Sequence, residues 1–264
     1  MKYLFIALSL LIYSISFSQD FEVAPVLVSF NAEPGSIQST KLSIKNYANI
    51  KQRFEVTLSD YSMDKQGNKS SLAAGQSENS LANWLTINPS FVELNPNESK
   101  EIELLITVPK GHSETRWGMA HVQVAKEKSA FDVDKEMATG VVLVPRIVVL
   151  IKQSPKSNQN YSAKIQDLKE IANNKSGNRT FEALIVNNGD KVVDAKVSLS
   201  VANIMTAKEE SFPQKKFTVY PKQSRLIQIS LPKKLEKGKY AVAVIMDYGH
   251  RKSLEGAQLM IEEK

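Results

Sequence analysis

Asn83 to Val124, NWLTINPSFVELNPNESKEIELLITVPKGHSETRWGMAHVQV, holds three apolar groups separated by turn residues, and their spacing decides the fold class. Trp84, Ile87, Phe91, Val92 and Leu94 form the first group, and Asn95-Pro96-Asn97 breaks it. Ile102, Leu104, Ile106 and Val108 then alternate with Glu101, Glu103, Leu105 and Thr107, the period-two pattern of a strand with one face buried. Pro109-Lys110-Gly111 closes that strand. A third opens with Trp117, Met119 and His121 on one parity or Ala120, Val122 and Val124 on the other. Short strands split by Pro, Gly and Asn at intervals of roughly 8 to 12 residues predict a β-sandwich.

The same grammar occurs twice. Leu42 to Asn46 followed by Phe54 to Leu58 is matched by Leu184 to Asp190 followed by Val193 to Leu199, each reading as a hairpin that turns at Asn. Phe91 to Pro109 is echoed by Phe217 to Pro232: strand, proline turn, then an alternating strand ended by proline. The second copy finishes with Gly238-Lys239-Tyr240 and a strand carrying Tyr240, Val242, Val244 and Met246. A repeat of ~100 residues is a tandem domain, since solenoid units repeat at ~20 to 50. The polar run from Gln153 to Asn160, with Pro155 inside it, has linker composition.

Working outward to the ends gives the remaining divisions. Met1-Lys2, the apolar run Tyr3 to Ile15 and then Ser16-Phe17-Ser18 form the pattern of a secretory signal, with cleavage expected after Ser18. About 15 apolar residues fall short of the ~20 that cross a bilayer. The chain is therefore expected to be periplasmic or secreted: 1–18 signal peptide, 19–152 first domain, 153–160 linker, 161–264 second domain. No cysteine is present, which excludes a disulfide framework, a thiol nucleophile and a cysteine-ligated metal. Lys and Arg against Asp and Glu number 14 against 16 over residues 19–152 and 19 against 12 over residues 153–264, so the first part carries −2 and the second +7. The lysines of the second part are scattered, apart from Lys215-Lys216 and Lys233-Lys234, and read as ordinary surface charge with no nucleic-acid partner implied.

Other segments fit between these strands. Phe21 to Phe30 reads as the opening strand, and Glu33-Pro34-Gly35 as its turn. Asp64 to Asn68 is a turn in which Gly67 can take positive φ. The polar, Ser-rich run from Lys69 to Leu81 reads as a mobile loop, and residues 126–140 as a second long loop. Weak helix potential lies only at Tyr161 to Ile171, where Ile165, Leu168 and Ile171 are three apart.

Little in the chain points to catalysis or a cofactor. His112, His121 and His250 are the only histidines, and none has the i, i+4 spacing of a helical metal pair. There is no nucleophile elbow, phosphate loop or dinucleotide fingerprint. Glu101 with Glu103, or Glu209 with Asp247 across strands, are carboxylates of a solvated face. The chain reads as a non-enzyme without catalytic residues, metal or cofactor. Val141 to Ile151, VVLVPRIVVLI, is apolar on both parities, with Arg146 alone among them. A central strand covered on both faces explains such a run, but Pro145 belongs at a strand start, edge or bulge. The other reading is an edge that accepts a strand from a partner.

Phe21-x-Val23-x-Pro25 with Val28-x-Phe30, Pro34-Gly35, the strand Leu42 to Asn46, Trp84-Leu85-x-Ile87-x-Pro89, Phe91-x-x-Leu94-x-Pro96, and the long loop leading to the apolar strand resemble the periplasmic pilus-assembly chaperones, the PapD-like family. The resemblance covers about residues 19–152 and, as a tandem arrangement, the whole chain. It implies an all-β chain of two immunoglobulin-like sandwiches set at an angle after a cleaved signal peptide, with no cofactor. It implies too that the last strand of the first domain holds an exported client by strand addition. Val141, Leu143 and Ile147 would then face the partner, with Arg146 turned to the cleft between the domains. In that family two basic cleft residues grip the client's C-terminal carboxylate; here those positions fall on Leu27 or Val28 and near Val148, and Arg146 is the nearest substitute.

A second set, Val108-Pro109-x-Gly111, Trp117-Gly118-Met119 and Lys237-Gly238-Lys239-Tyr240, is similar to two-domain WxL-interacting surface proteins. That similarity implies a non-catalytic envelope adhesion or scaffold protein binding surface proteins or polysaccharide. Those proteins continue into a C-terminal membrane helix, whereas the longest apolar run after the signal is the 11 residues of Val141 to Ile151.

Overall fold

The computed structural model of this chain describes residues 20–125, 144–171 and 178–264. They form seventeen strands, β1 to β17, and among the described residues there is no helix. The signal segment 1–18, the loop 126–140 and the candidate client-binding residues Val141 and Leu143 lie outside the described residues.

The N-terminal domain is a sandwich of two sheets. One has the order β1 (Phe21–Ala24), β3 (Ile37–Asn46), β8 (Ser99–Thr107), β6 (Leu85–Asn88). The other runs β2 (Leu27–Phe30), β10 (Arg146–Gln153), β9 (Arg116–Val124), β4 (Gln52–Met63), β5 (Lys69–Leu72), with β7 (Phe91–Leu94) also on β4. Every pairing is antiparallel except β2 with β10, which is parallel. Two expected continuous strands are broken at proline. Phe21 to Phe30 divides at Pro25 into β1 and β2, and Leu85 to Leu94 divides at Pro89 into β6 and β7; each half joins a different sheet. Proline cannot donate to a ladder, so the chain changes partners there.

The alternation read from the sequence points inward as expected. Ile102, Leu104 and Ile106 of β8 meet Leu42 and Ile44 of β3, Phe54 of β4, Leu94 of β7, and Val149 and Ile151 of β10 in one core. Each such side chain, once removed from water, stabilises the fold by roughly 1.5–3 kcal/mol before entropy is counted.

The C-terminal domain repeats the plan, with a three-stranded sheet β11 (Ala163–Ile171), β12 (Thr180–Asn187), β15 (Ser224–Ser230) against β14 (Glu209–Val219), β13 (Val193–Asn203), β16 (Gly238–Asp247), β17 (Glu255–Glu263). The two Asn-turn hairpins expected from the repeat are not hairpins. β3 and β4 lie in different sheets, as do β12 and β13. At each corner a fully buried Asn ties the crossing together. The Asn46 amide donates to the carbonyls of Ile50, Leu94 and Asn95 at 2.9, 3.1 and 3.2 Å, and the Asn187 amide to those of Lys191 and Val219 at 2.8 and 2.9 Å.

Two further expectations are corrected. The segment 161–171 is not helix: from Ala163 to Ile171 it is β11. The register shifts between Gln166 and Lys169, and Asp167 takes φ +57°. This bulge brings Leu168 to the same core as Ile165, which produces a spacing of three inside a strand. Residues 69–81 are built rather than loose: β5 pairs with β4, and buried Asp60 accepts the Ser77 N–H at 2.8 Å and the Ser80 hydroxyl at 2.7 Å. Leu81 then seats in the core.

The linker is held throughout. β10 runs to Gln153, whose side-chain amide exchanges hydrogen bonds with the Ala32 main chain at 2.6 and 3.2 Å. Buried Lys191 donates to the Pro155 carbonyl at 2.6 Å, Asn158 to the Ser113 carbonyl at 2.8 Å, and Asn160 to Asp190. Burial, then the neighbouring charge of Lys152, push the Lys191 pKa down.

Candidate functional site

β10 is the strand on which the candidate site rests. On one side it pairs with β9 along its whole length, from Arg146 opposite Gln123 to Gln153 opposite Arg116. On its other side β2 begins only at Leu27, opposite Leu150, and the Leu150 N–H donates to the Val26 carbonyl at 2.9 Å. Arg146 to Val149 therefore have an outer edge with no strand beside it among the described residues. Successive residues of a strand turn their main-chain groups to opposite sides. Since the Leu150 N–H points to β2, Val148 and Arg146 present theirs to the open side. Pro145 stands just before the strand, where it removes no ladder bond.

Two of the four expected site residues, Arg146 and Ile147, are on this strand. Ile147 shares the parity of Val149 and Ile151 and packs, half-buried, against the N-terminal core. Arg146 is exposed and belongs to the opposite face, where its Nε donates to Gln123 Oε1 at 2.8 Å and Gln123 in turn bonds Glu55.

Side chains on that face form cross-strand rows. Below Glu55, Gln123 and Arg146 comes Thr57, His121 and Val148; then Ser59, Met119, Leu150 and Leu27; then Trp117, Lys152 and Ser29. His121 is buried, with Nε2 hydrogen-bonded to Ser59 Oγ at 2.6 Å and Nδ1 without a partner. Burial, then the positive charge of Arg146, push its pKa down, so the ring is favoured neutral. Tyr61, Trp117 and Met119 form a separate small core, onto which Met63, Leu150 and, from the other domain, Tyr220 pack. The Trp117 ring meets Tyr220 edge-on at 4.8 Å, and the Tyr61 and Tyr220 hydroxyls are 2.7 Å apart. The end of this face at Tyr61, Trp117 and Met119 thus meets the C-terminal domain.

The histidines stand apart. His112 bonds Glu114 at 2.8 Å beside Trp84, and His250 stacks on Tyr161 at 3.5 Å. Glu209 and Asp247 lie at opposite ends of β13, against Ala202 and Lys196, and do not form a pair. Among the described residues no group of three or more His, Asp or Glu is placed to hold a metal ion.

The two sandwiches can be compared with solved structures. A chain of the chaperone–tip adhesin complex of CFA/I fimbriae matches at 13% identity and a TM-score of 0.50, over 92% of this chain and 98% of that one. The fold is that of the PapD-like chaperones. The class 5 fimbriae chaperone CfaA is similar at 14% identity and a TM-score of 0.48, over 91% of this chain and 98% of that one. The CsuC–CsuE pre-assembly complex of Csu pili from Acinetobacter baumannii is similar at 12% and 0.45, over 90% and 98%. No protein-family model matches the sequence, and no curated protein matches it.

Sequence reasoning missed the junction residues Tyr61, Trp117 and Tyr220. β9 is apolar on both parities, and only the docking of a second domain distinguishes its outer face from an ordinary buried one. The exposed Val26, next to Leu27, was also without a signal.

Proposed function

We propose that this chain is a non-enzymatic, exported chaperone or adaptor that holds a client protein by adding a client strand to the outer edge of β10. The observation that carries the reading is the one-sided pairing of Arg146 to Val149 among the described residues. An edge with apolar flanks is an aggregation hazard that a partner strand would remove, and main-chain bonds along it supply affinity for a client of varied sequence. The fold agrees, and so does a signal segment at residues 1–18. Val141, Leu143 and Ile147 would line the bound strand on the core side, and Arg146 would meet a client carboxylate with charge-assisted bonds on the cleft side.

Val148→Pro tests this directly. It deletes an outward N–H that β9 does not use, and proline is tolerated at such an edge. The variant should melt near the wild type and lose the client that co-purifies with the wild-type chain from an envelope extract of the source organism. Arg146→Ala should weaken that association without loss of fold. Ile147→Asp should lower the melting temperature instead, because it places a charge against the core. A client retained by Val148→Pro at wild-type level would sink the strand-addition reading.

A further inference from the structure

Met205 is 84% exposed, more than any other large apolar side chain among the described residues, and its neighbour Ile204 is 45% exposed. Both sit on the turn between β13 and β14, and that turn is held in place. The Asn203 side-chain oxygen accepts the N–H groups of Met205 and Thr206 at 2.9 and 3.1 Å. The Asn203 N–H donates to the Lys208 carbonyl at 2.9 Å, and the Ile204 N–H to the Lys239 carbonyl at 3.0 Å. Two adjacent apolar side chains are thus kept in water on an ordered turn, a position where polar residues are the rule. A partner that covers them has no loop to order first.

Lysines surround this tip. Lys208, Lys233 and Lys234 line one hollow of about 300 Å³ together with Thr206, Glu210 and Glu236. Residues 203–210 and 232–240 carry five lysines and three glutamates. The acidic groups are largely engaged: Glu210 pairs with Lys233, Glu209 accepts a hydrogen bond from Ser200, and on the adjoining end of β17 Glu262 stands opposite Lys239 and Glu263 binds Arg179. Lys208, Lys234 and Lys237 are exposed and have no acidic partner among the described residues. The tip is also far from the client edge, since β14, an 11-residue strand of roughly 33 Å, separates it from Tyr220 at the domain junction.

Aliphatic side chains within a fringe of lysines match a bilayer that carries anionic headgroups. The apolar groups leave water for the interface while the ammonium groups stay among the phosphates. An acidic polysaccharide would engage the lysines but offers little apolar surface to Ile204 and Met205.

We propose that the β13–β14 turn docks this chain on an anionic membrane surface, with Ile204 and Met205 entering the interface and Lys208, Lys234 and Lys237 meeting the headgroups. The proposal is independent of strand addition at β10.

Co-sedimentation with lipid vesicles tests it on the chain from Gln19 onward, which contains both sandwiches whole. Phosphatidylcholine vesicles containing phosphatidylglycerol should bind the chain at least tenfold tighter than vesicles of phosphatidylcholine alone, and high salt should remove that difference. Met205→Ser, and Lys234→Glu with Lys237→Glu, should each weaken binding to the anionic vesicles at least fivefold while melting and client association stay as in the wild type. No binding to the anionic vesicles, or binding that either substitution leaves unchanged, overturns the proposal and leaves strand addition standing. Binding to dextran sulfate as tight as to the vesicles, and unchanged by Met205→Ser, overturns it in favour of an acidic polysaccharide.

Discussion

Tyr61 of β4 and Tyr220, which follows β14, meet hydroxyl to hydroxyl at 2.7 Å across the domain junction, with their rings edge to face at 6.0 Å. Burial pushes both phenol pKa values up, so the fold favours the neutral rings. A group whose folded pKa lies above its unfolded one contributes stability that is complete below the unfolded value, near pH 10 for tyrosine, and is lost as the pH rises further. Thermal melts should therefore show junction stability holding to about pH 10 and falling above it. Tyr61→Phe and Tyr220→Phe should each cost about 1 kcal/mol. The double variant should cost less than the sum, and additive effects would mean that the contact does not form.

Asn46 and Asn187 predict a matched pair of effects. Replacing either by Ala removes two or three hydrogen bonds to main-chain carbonyls at a buried corner, and a loss of about 2–4 kcal/mol is expected for each. Because each Asn closes only its own sandwich, Asn46→Ala should lower the urea midpoint of the N-terminal domain and Asn187→Ala that of the C-terminal domain. Limited proteolysis along the urea series would assign the two transitions.

Glu114 sets an acid limit. Burial raises its pKa, but hydrogen bonds from Arg116 at 2.7 and 3.0 Å, from its own main chain and from His112 outweigh that and bring it from 4.5 to about 2. A lowered folded pKa gives stability present above the unfolded value and lost as the pH falls through the folded one. The stabilisation should disappear between about pH 4.5 and 2. Glu114→Gln should flatten the wild-type stability curve in that window, and an unchanged slope would contradict the arrangement.

Arg179 fastens the last strand. Its guanidinium binds both oxygens of Glu170 at 2.7 Å, Glu263 at 2.7 Å and the Glu262 carbonyl at 3.2 Å, joining the sheet of β11 and β12 to β17. Arg179→Met should cost about 1 kcal/mol of global stability, since the carboxylates are partly exposed. The larger effect should be local: faster hydrogen exchange over Glu255 to Glu263, with β13 unaffected.

The amino-acid sequence by itself determined the class of the fold, the two-domain division and the inward parity of most strands. Alternation in Ile102 to Val108 is set by local pleating, which needs no knowledge of the neighbour. Likewise, the twice-repeated proline turn carries its own conformation, and Asn97 and Lys222 take matching φ values of +62° and +59°. What a strand pairs with is a different matter. Asn46 reads as a hairpin turn and is instead a corner between sheets, because its partners Leu94 and Asn95 lie some fifty residues away in the chain. Only the tertiary structure decided that β2 leaves its neighbour at Pro25 to lie beside β10, and that it covers that strand only from Leu150 onward. The edge left open at Arg146 to Val149 among the described residues and the exposed Leu27 are products of that long-range pairing. A one-dimensional pattern shows which residues avoid water, whereas an edge is defined by the strand missing beside it.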